Sequence, residues 1–351
     1  MSEILDTPTD THVDTPTKAS TTNKSANPCN QSLSVVVPFY NEEENIKPFM
    51  EEVHAALKDY PGQWELIAVN DGSNDGTTQA LDKAVAEYGN HVHAIHFARN
   101  FGQTAAMQAG IDAARGDLIA TLDGDLQNDP ADIPKLIVAL EERDLDMISG
   151  WRKDRQDGAI NRKLPSRIAN WLIRKNTGVY VNDYGCSLKV YRSWVIKQVH
   201  LIGEMHRFIP AWVACITSPD RISDMPVNHR ARQFGVSKYG ISRTIRVILD
   251  LLAVFFFMRF SRRPGHFFGS IGLFLGAIGG LILTYLFGVK IFMGEDIGNR
   301  PLLFTGILFV MTSAQLVTTG VLAEILTRST AHAKMPVRPS ANSPTVRGWC
   351  E

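Results

Sequence analysis

Ser34-Val35-Val36-Val37-Pro38-Phe39-Tyr40-Asn41-Glu42-Glu43-Glu44 is where a polar tail gives way to a folded domain. Its first part, Ser34 to Pro38, is a short β-branched run, the pattern of a strand buried on both faces. From Glu42 to about Leu57 the apolar residues fall at helical spacing. The alternation then repeats. Leu66–Val69 reads as a strand ending in the turn Asn70-Asp71-Gly72-Ser73, and a helix over about 77–88 follows. Next come a strand at Val92–Phe97, a helix over 103–114, a strand at Leu118–Leu122, a helix near 132–143 and a strand at Asp146–Ser149. Strands alternating with helices of about a dozen residues predict an α/β fold with a mostly parallel, doubly wound sheet. Ligands of such sheets sit at the carboxyl ends of the strands. Three polar clusters, 38–42, 70–75 and 123–127, fall at such ends.

The 351-residue chain is 44% hydrophobic and has zero formal net charge, so no global field steers it toward nucleic acid. Local charge is uneven. Residues 152–175 hold eight Lys/Arg against two Asp, and residues 230–263 hold eight against one. Cys29, Cys186, Cys215 and Cys350 form no C-x-x-C pair, which argues against a zinc site or a disulfide framework and for a reduced, cytosol-facing domain. Residues 1–32 are rich in Thr, Ser, Asp and Asn. With no basic-then-apolar start, they are expected to be a disordered tail rather than a signal peptide.

The last third differs. Residues 264–289 and 301–323 carry no formal charge, and each run exceeds the roughly 20 residues that cross a bilayer core. Two spanning helices are expected, at about 266–289 and 301–323, with glycines 269, 272, 276, 279 and 280 suited to close packing on a neighbour. Residues 241–263, interrupted by Arg243, Arg246 and Asp250, read as an amphipathic helix lying in the bilayer interface. Arg262 and Arg263 precede the first span, while Arg328, Lys334, Arg338 and Arg347 lie in the tail 327–351. The positive-inside rule then puts both termini in the cytoplasm at the inner (plasma) membrane.

Asp123-Gly124-Asp125-Leu126-Gln127 carries the sharpest chemical signal. Two carboxylates at i and i+2 past the end of a strand suit a hard divalent cation that also bridges a diphosphate. The glycine would let substrate approach the backbone. The alternative is an acidic turn with helix-capping aspartates, since Asn128-Asp129-Pro130 follows. In the second cluster Asp71 would meet a base or ribose, while Ser73, Asp75 and Thr77 fold the turn and cap the next helix. In the first, Tyr40 could flank a base and Glu42 take a donor from it. His91, His93 and His96 lie along one strand and read as structural rather than metal-binding.

Together, Val-Val-Pro-Phe-Tyr-Asn-Glu-Glu, Asp-Gly-Ser-x-Asp-Gly-Thr, Arg99-Asn100-Phe101-Gly102 and Asp-Gly-Asp-Leu-Gln resemble family 2 glycosyltransferases of the GT-A fold. Within it the chain is similar to the polyprenyl-phosphate sugar transferases. These include dolichol-phosphate mannose synthase, GtrB-type glucosyltransferases and, through Asn182-Asp183-Tyr184-Gly185-Cys186-Ser187-Leu188, the undecaprenyl-phosphate formamido-arabinose transferase. The resemblance runs from about residue 33 to 327 and implies a catalytic domain over 33–240. It implies Pro38, Tyr40, Glu42, Val69 and Asp71 around the nucleotide, with Gly124 beside the diphosphate. It also implies Asp123, Asp125 and Gln127 on Mg2+ or Mn2+, and Arg152 on phosphate. Arg232 and Lys238, in the Arg-x-x-Gly-x-Ser-Lys segment, would close over the site, and Asp183 would orient a sugar. The implied partners are a UDP- or GDP-linked sugar, a polyprenyl phosphate, the bilayer and a second copy through the membrane helices. Two departures stand out. Asn70 occupies a position usually held by aspartate, and Gly124 one usually held by alanine, a small change. The rivals are a processive polysaccharide synthase, whose Arg-Trp motif is absent here, and a non-catalytic membrane subunit. The sugar is left open.

Overall fold

The computed structural model describes residues 31–153, 174, 178–230, 256, 260 and 263–330. The N-terminal tail, most of the basic stretch 152–175, the segment with Arg232 and Lys238, nearly all of 241–263 and the C-terminal tail lie outside those residues.

The alternation runs as expected: β1 Leu33–Phe39, α1 Glu43–Leu57, β2 Trp64–Asn70, α2 Thr77–Tyr88, β3 Val92–His96, α3 Gln103–Ala113, β4 Leu118–Thr121, α4 Ile133–Glu142 and β5 Met147–Trp151. A strand β6 (Lys189–Arg192), two short helices, α5 (Ser193–Ile196) and α6 (Ile209–Val213), and a strand β7 (Ile222–Pro226) follow. The sheet order is β3-β2-β1-β4-β6-β5-β7, and only β6 runs antiparallel. The sheet is mostly parallel, as expected, with β6 inserted antiparallel between β4 and β5. The insertion has a consequence for the site. An antiparallel strand begins at the edge where its parallel neighbours end, so the approach to β6 (residues 182–188) crosses the carboxyl edge of the sheet.

β1 is buried on both faces, which is why it reads as an unbroken apolar run. Val35, Val37 and Phe39 pack under α1, α2 and α4, with Phe49, Met50 and Leu81. Val36 joins Ile67 and Val69 on the opposite face, under Ala106, Met107 and Ile111 of α3 and the segment 179–213. Strand order reverses between β1 and β4, so the crevice between their ends is the topological switch point where such folds bind ligands.

Two long helices close the described chain: α7 (Pro264–Gly288), continued by a wider turn to Met293, and α8 (Pro301–Thr330). Both are long and apolar enough to cross a membrane, and only 17% and 6% of their most apolar windows are buried within the chain, unlike core helices of a soluble domain. They pack on each other. A Cβ at Gly272, Gly276 or Gly279 would come within 3.0 Å of Val317, Ser313 or Gly306, so these glycines allow the close approach, whereas Gly269 and Gly280 face open space.

Candidate active site

β2, β1 and β4 are neighbours, so the three polar clusters meet along one stretch of sheet edge. The first two interlock. Asn41 N–H donates to Ser73 Oγ (3.0 Å), Asn74 N–H to Asn41 Oδ1 (2.9 Å), Glu42 N–H to Thr77 Oγ1 (3.0 Å) and Gly76 N–H to Glu43 Oε2 (3.0 Å). Thr77 N–H donates to Asp75 Oδ1 (3.0 Å). Ser73, Asp75 and Thr77 therefore fold the turn as expected and clasp the start of α1 as well, but α2 is N-capped by Gly76 with no side-chain cap bond, so the expected side-chain cap is not made. Asn70 explains its own departure: its amide accepts from Ser73 N–H (3.0 Å) and donates to Thr78 Oγ1 (2.8 Å), and an aspartate could not donate.

Asp71 is buried and its carboxylate faces the chain itself. It accepts from Phe101 N–H (2.7 Å) and Gly102 N–H (2.9 Å). Burial raises its pKa above the usual value, and the two amides partly offset that. Glu42 accepts from the side chain of Asn45. Pro38 and Tyr40 are half-buried at the end of β1. Val69 is fully buried in the second core, so its side chain lines no cleft, contrary to the simplest form of the expectation.

In the third cluster Asp125 Oδ1 accepts from Gln127 N–H (3.2 Å), and between them Leu126 adopts a left-handed φ of 60° while fully buried. A branched aliphatic residue held there marks a turn over-determined by its surroundings, and Asn41, at φ 55°, marks the facing one. Asp129 caps the turn 130–132 by accepting from Ala131 N–H (3.0 Å), so the capping reading holds for Asp129 and leaves Asp123 and Asp125 to the sheet edge. The half-buried Asp123 accepts from Gln103 Nε2 (2.7 Å) and its N–H reaches Ser187 Oγ (3.3 Å). Burial and the adjacent Asp125 charge push its pKa up to about 6.

Gly124 needs a correction. A Cβ there would sit 2.3 Å from Cε1 and 2.5 Å from Cδ1 of the buried Phe39, so the glycine makes room for that ring and is not exchangeable with alanine in this chain. Gly124→Ala is expected to destabilise the solubilised protein by about 1–3 kcal/mol in unfolding measurements. Adding Phe39→Leu should recover part of the loss; an unchanged midpoint for Gly124→Ala would contradict the packing argument.

Across the crevice the approach to β6 supplies the rest. Arg152, at the end of β5, holds Asp183 through Nε–Oδ2 (2.7 Å) and Nη2–Oδ1 (3.1 Å). Burial opposes both charges, and their pairing more than offsets it, so the arginine's pKa is raised and the aspartate's lowered. Arg152 is thus engaged by a carboxylate, not poised alone for phosphate. Lys189, the first residue of β6, is 2% exposed and donates to the Cys186 carbonyl. Burial lowers its pKa, while Asp123 and Asp183 favour its charge. Sequence reasoning missed Gln103 and Lys189. The one available signal was a lone lysine in the apolar run Leu188-Lys189-Val190-Tyr191. The chain's return over the site is also visible: Arg230 N–H donates to Gln127 O (2.8 Å), and its guanidinium pairs with Glu52 and Asp129 (both 2.7 Å). Arg232 and Lys238 lie outside the described residues. The histidines diverge: His91 meets His54 (2.8 Å), His93 meets Glu65 (3.5 Å) and His96 meets Asp82 (3.1 Å).

The donor set at Asp123 and Asp125 fits a hard divalent cation. Two mutually repelling carboxylates lie two residues apart, and among the described residues no Lys or Arg forms an ion pair with Asp123. No group of three His, Cys, Asp or Glu suited to a metal occurs among the described residues.

Residues 34–200 match the model of glycosyl transferase family 2. Dodecaprenyl-phosphate galacturonate synthase of Rhizobium johnstonii is 59% identical over 297 residues, covering 85% of this chain and 88% of that protein. Undecaprenyl-phosphate 4-deoxy-4-formamido-L-arabinose transferase of Pseudomonas fluorescens SBW25 is 36% identical, covering 84% of each chain. Among solved structures, glucosyl-3-phosphoglycerate synthase from Mycobacterium tuberculosis, in complex with Mn2+, uridine-diphosphate-glucose and phosphoglyceric acid, shares the fold. Its TM-score is 0.51 at 18% identity, over 64% of this chain and 80% of that one.

Proposed function

The chain belongs to glycosyl transferase family 2, and from that membership we propose that it moves a sugar from a nucleotide diphosphate sugar onto a polyprenyl phosphate at the cytoplasmic face of the inner (plasma) membrane. The observation that carries this reading is the pair Asp123 and Asp125 at the β1/β4 switch point of a chain that also holds two helices of spanning length. We assign the sugar as galacturonic acid. The 59% identity to the galacturonate synthase, against 36% to the formamido-arabinose transferase, supports that choice.

In this reading Pro38, Tyr40, Glu42, Asp71 and the main chain at Val69 frame the nucleotide. Asp123, Asp125 and Gln127 hold Mg2+ or Mn2+, which when bound neutralises charge on the departing diphosphate. The lipid phosphate needs no strong base, since a phosphate monoester has its second pKa at roughly 6 and is largely dianionic at neutral pH. One of its oxygens bonds to the anomeric carbon as the bond to the diphosphate breaks, and the nucleoside diphosphate leaves with the electron pair, inverting the centre. Arg152 and Lys189 supply positive charge beneath the site, Asp183 is held by Arg152 facing it, and Arg232 and Lys238 gather the two anionic substrates. Arg262 and Arg263 before α7 and Arg328 at the end of α8, against a connecting loop whose Lys290 and Arg300 are offset by Glu295 and Asp296, support a cytoplasmic placement of both termini. Copies associate through the outward faces of those helices, where Phe274 and Leu281 are exposed.

Full-length protein in nanodiscs should release nucleoside diphosphate only when UDP-galacturonic acid, a polyprenyl phosphate and a divalent cation are all present. Release without the lipid would overturn the acceptor, and preference for another sugar in a panel of UDP- and GDP-linked donors would overturn the sugar. A non-catalytic subunit would release none.

A pH dependence follows from Asp123. Its folded pKa, about 6, lies above the ordinary carboxylate value of 3.8, so its ionisation detracts from the metal-free fold as pH rises through that interval. A cation takes only the ionised form. Mn2+ affinity should therefore fall about tenfold per pH unit below that value, and a flat affinity down to roughly pH 5 would contradict the assignment.

A further inference from the structure

Gln103 opens α3, and among the described residues its exposed side chain makes one polar contact, the 2.7 Å bond from Nε2 to Asp123 Oδ1. The residue is placed from both sides. Just before it, the Phe101 and Gly102 amides are gripped by Asp71. Just after it, Thr104 is buried and hydrogen-bonded to His206 (2.6 Å), and Ala106, Met107 and Ile111 bed the helix on the sheet. A carboxylate with one oxygen held by an amide donor is fixed in rotamer and presents its other oxygen. Groups that hold a metal's ligands in this way typically contribute 10–100-fold to metal affinity.

We propose that Gln103 is a positioning residue that sets the Asp123 carboxylate for the cation, and that residues 101–103 form a strap joining the nucleotide end of the site, at Asp71, to its metal end, at Asp123. The proposal rests on the reading of Asp123 and Asp125 as cation ligands. Because Gln103 packs no core, its loss should not disturb folding.

The test is Mn2+ binding to the full chain in nanodiscs with UDP present, followed by electron paramagnetic resonance of the free ion. Gln103→Met, close in shape but without the donor, and Gln103→Ala should both weaken Mn2+ binding about tenfold or more. Their unfolding midpoint should be unchanged, and turnover lost at low Mn2+ should return at high Mn2+. A purely structural loss would not be recovered by added cation. Wild-type affinity within about twofold in Gln103→Met would overturn the proposal while leaving the metal site standing. If the wild-type chain binds no Mn2+, or Asp125→Ala binds it equally well, the underlying metal assignment falls and Gln103's role falls with it.

Discussion

Asp125→Ala should lower sugar transfer by at least about a hundred- to a thousand-fold while the protein still inserts in membranes. The side chain is 7% exposed on the turn after β4, and its Oδ1 accepts from Gln127 N–H, so an alanine could also loosen that turn. Asp125→Asn separates the two effects. It keeps an oxygen for the Gln127 amide and removes the charge that a divalent cation requires. Both variants should be inactive, with the asparagine variant unfolding near the wild-type midpoint. Near-normal turnover in either one, measured on purified protein, would refute the assignment of Asp125 to the metal.

Arg152→Ala and Asp183→Ala should each destabilise the fold, by about 3 kcal/mol, because each leaves the other's charge poorly solvated. The two side chains are 13% and 16% exposed and paired through two bonds. The arginine variant should suffer more, since among the described residues it leaves Lys189 alone to offset the charges of Asp183 and Asp123. The double variant should be less destabilised than the sum of the singles, as expected of a coupled pair. Sign and pH window follow from Asp183. Its folded pKa is lowered, so the contribution is complete above the unfolded value near 3.8 and is lost as pH falls through the folded one. Unfolding midpoints of the four proteins, compared at neutral and acidic pH, provide the check. Purely additive losses would show that the contact contributes nothing.

What could be read in the chain beforehand was what is local. β1 through β5 announce themselves by periodicity within each segment, and the polar clusters by their place just beyond apolar runs. The two helices of spanning length were legible for the simplest reason, an absence of charge over more than twenty residues. What escaped notice depends on distant pairings. β6 is only four residues long, with a buried lysine that breaks its apolar pattern, and it enters the sheet between strands that precede it by many residues. Its insertion delivers Ser187 and Lys189 to the site. The Arg152–Asp183 pair spans 31 positions and the Gln103–Asp123 bond spans 20, separations at which spacing carries no signal. Gly124 was misjudged because its constraint comes from Phe39, on another strand. Asp71 lies in the second polar cluster by sequence, but its grip on the residue 101–102 amides emerges only in three dimensions.

Everything functional here depends on the acceptor being a lipid-borne phosphate and the donor a nucleotide sugar whose transfer needs a divalent cation. The most direct measurement is the mass of the lipid after purified protein in nanodiscs is incubated with undecaprenyl phosphate, UDP-galacturonic acid and Mn2+. The predicted result is a polyprenyl phosphate heavier by one uronic acid residue, absent when a chelator is added. A lipid of unchanged mass alongside free sugar, or one carrying a chain of sugars, would contradict it.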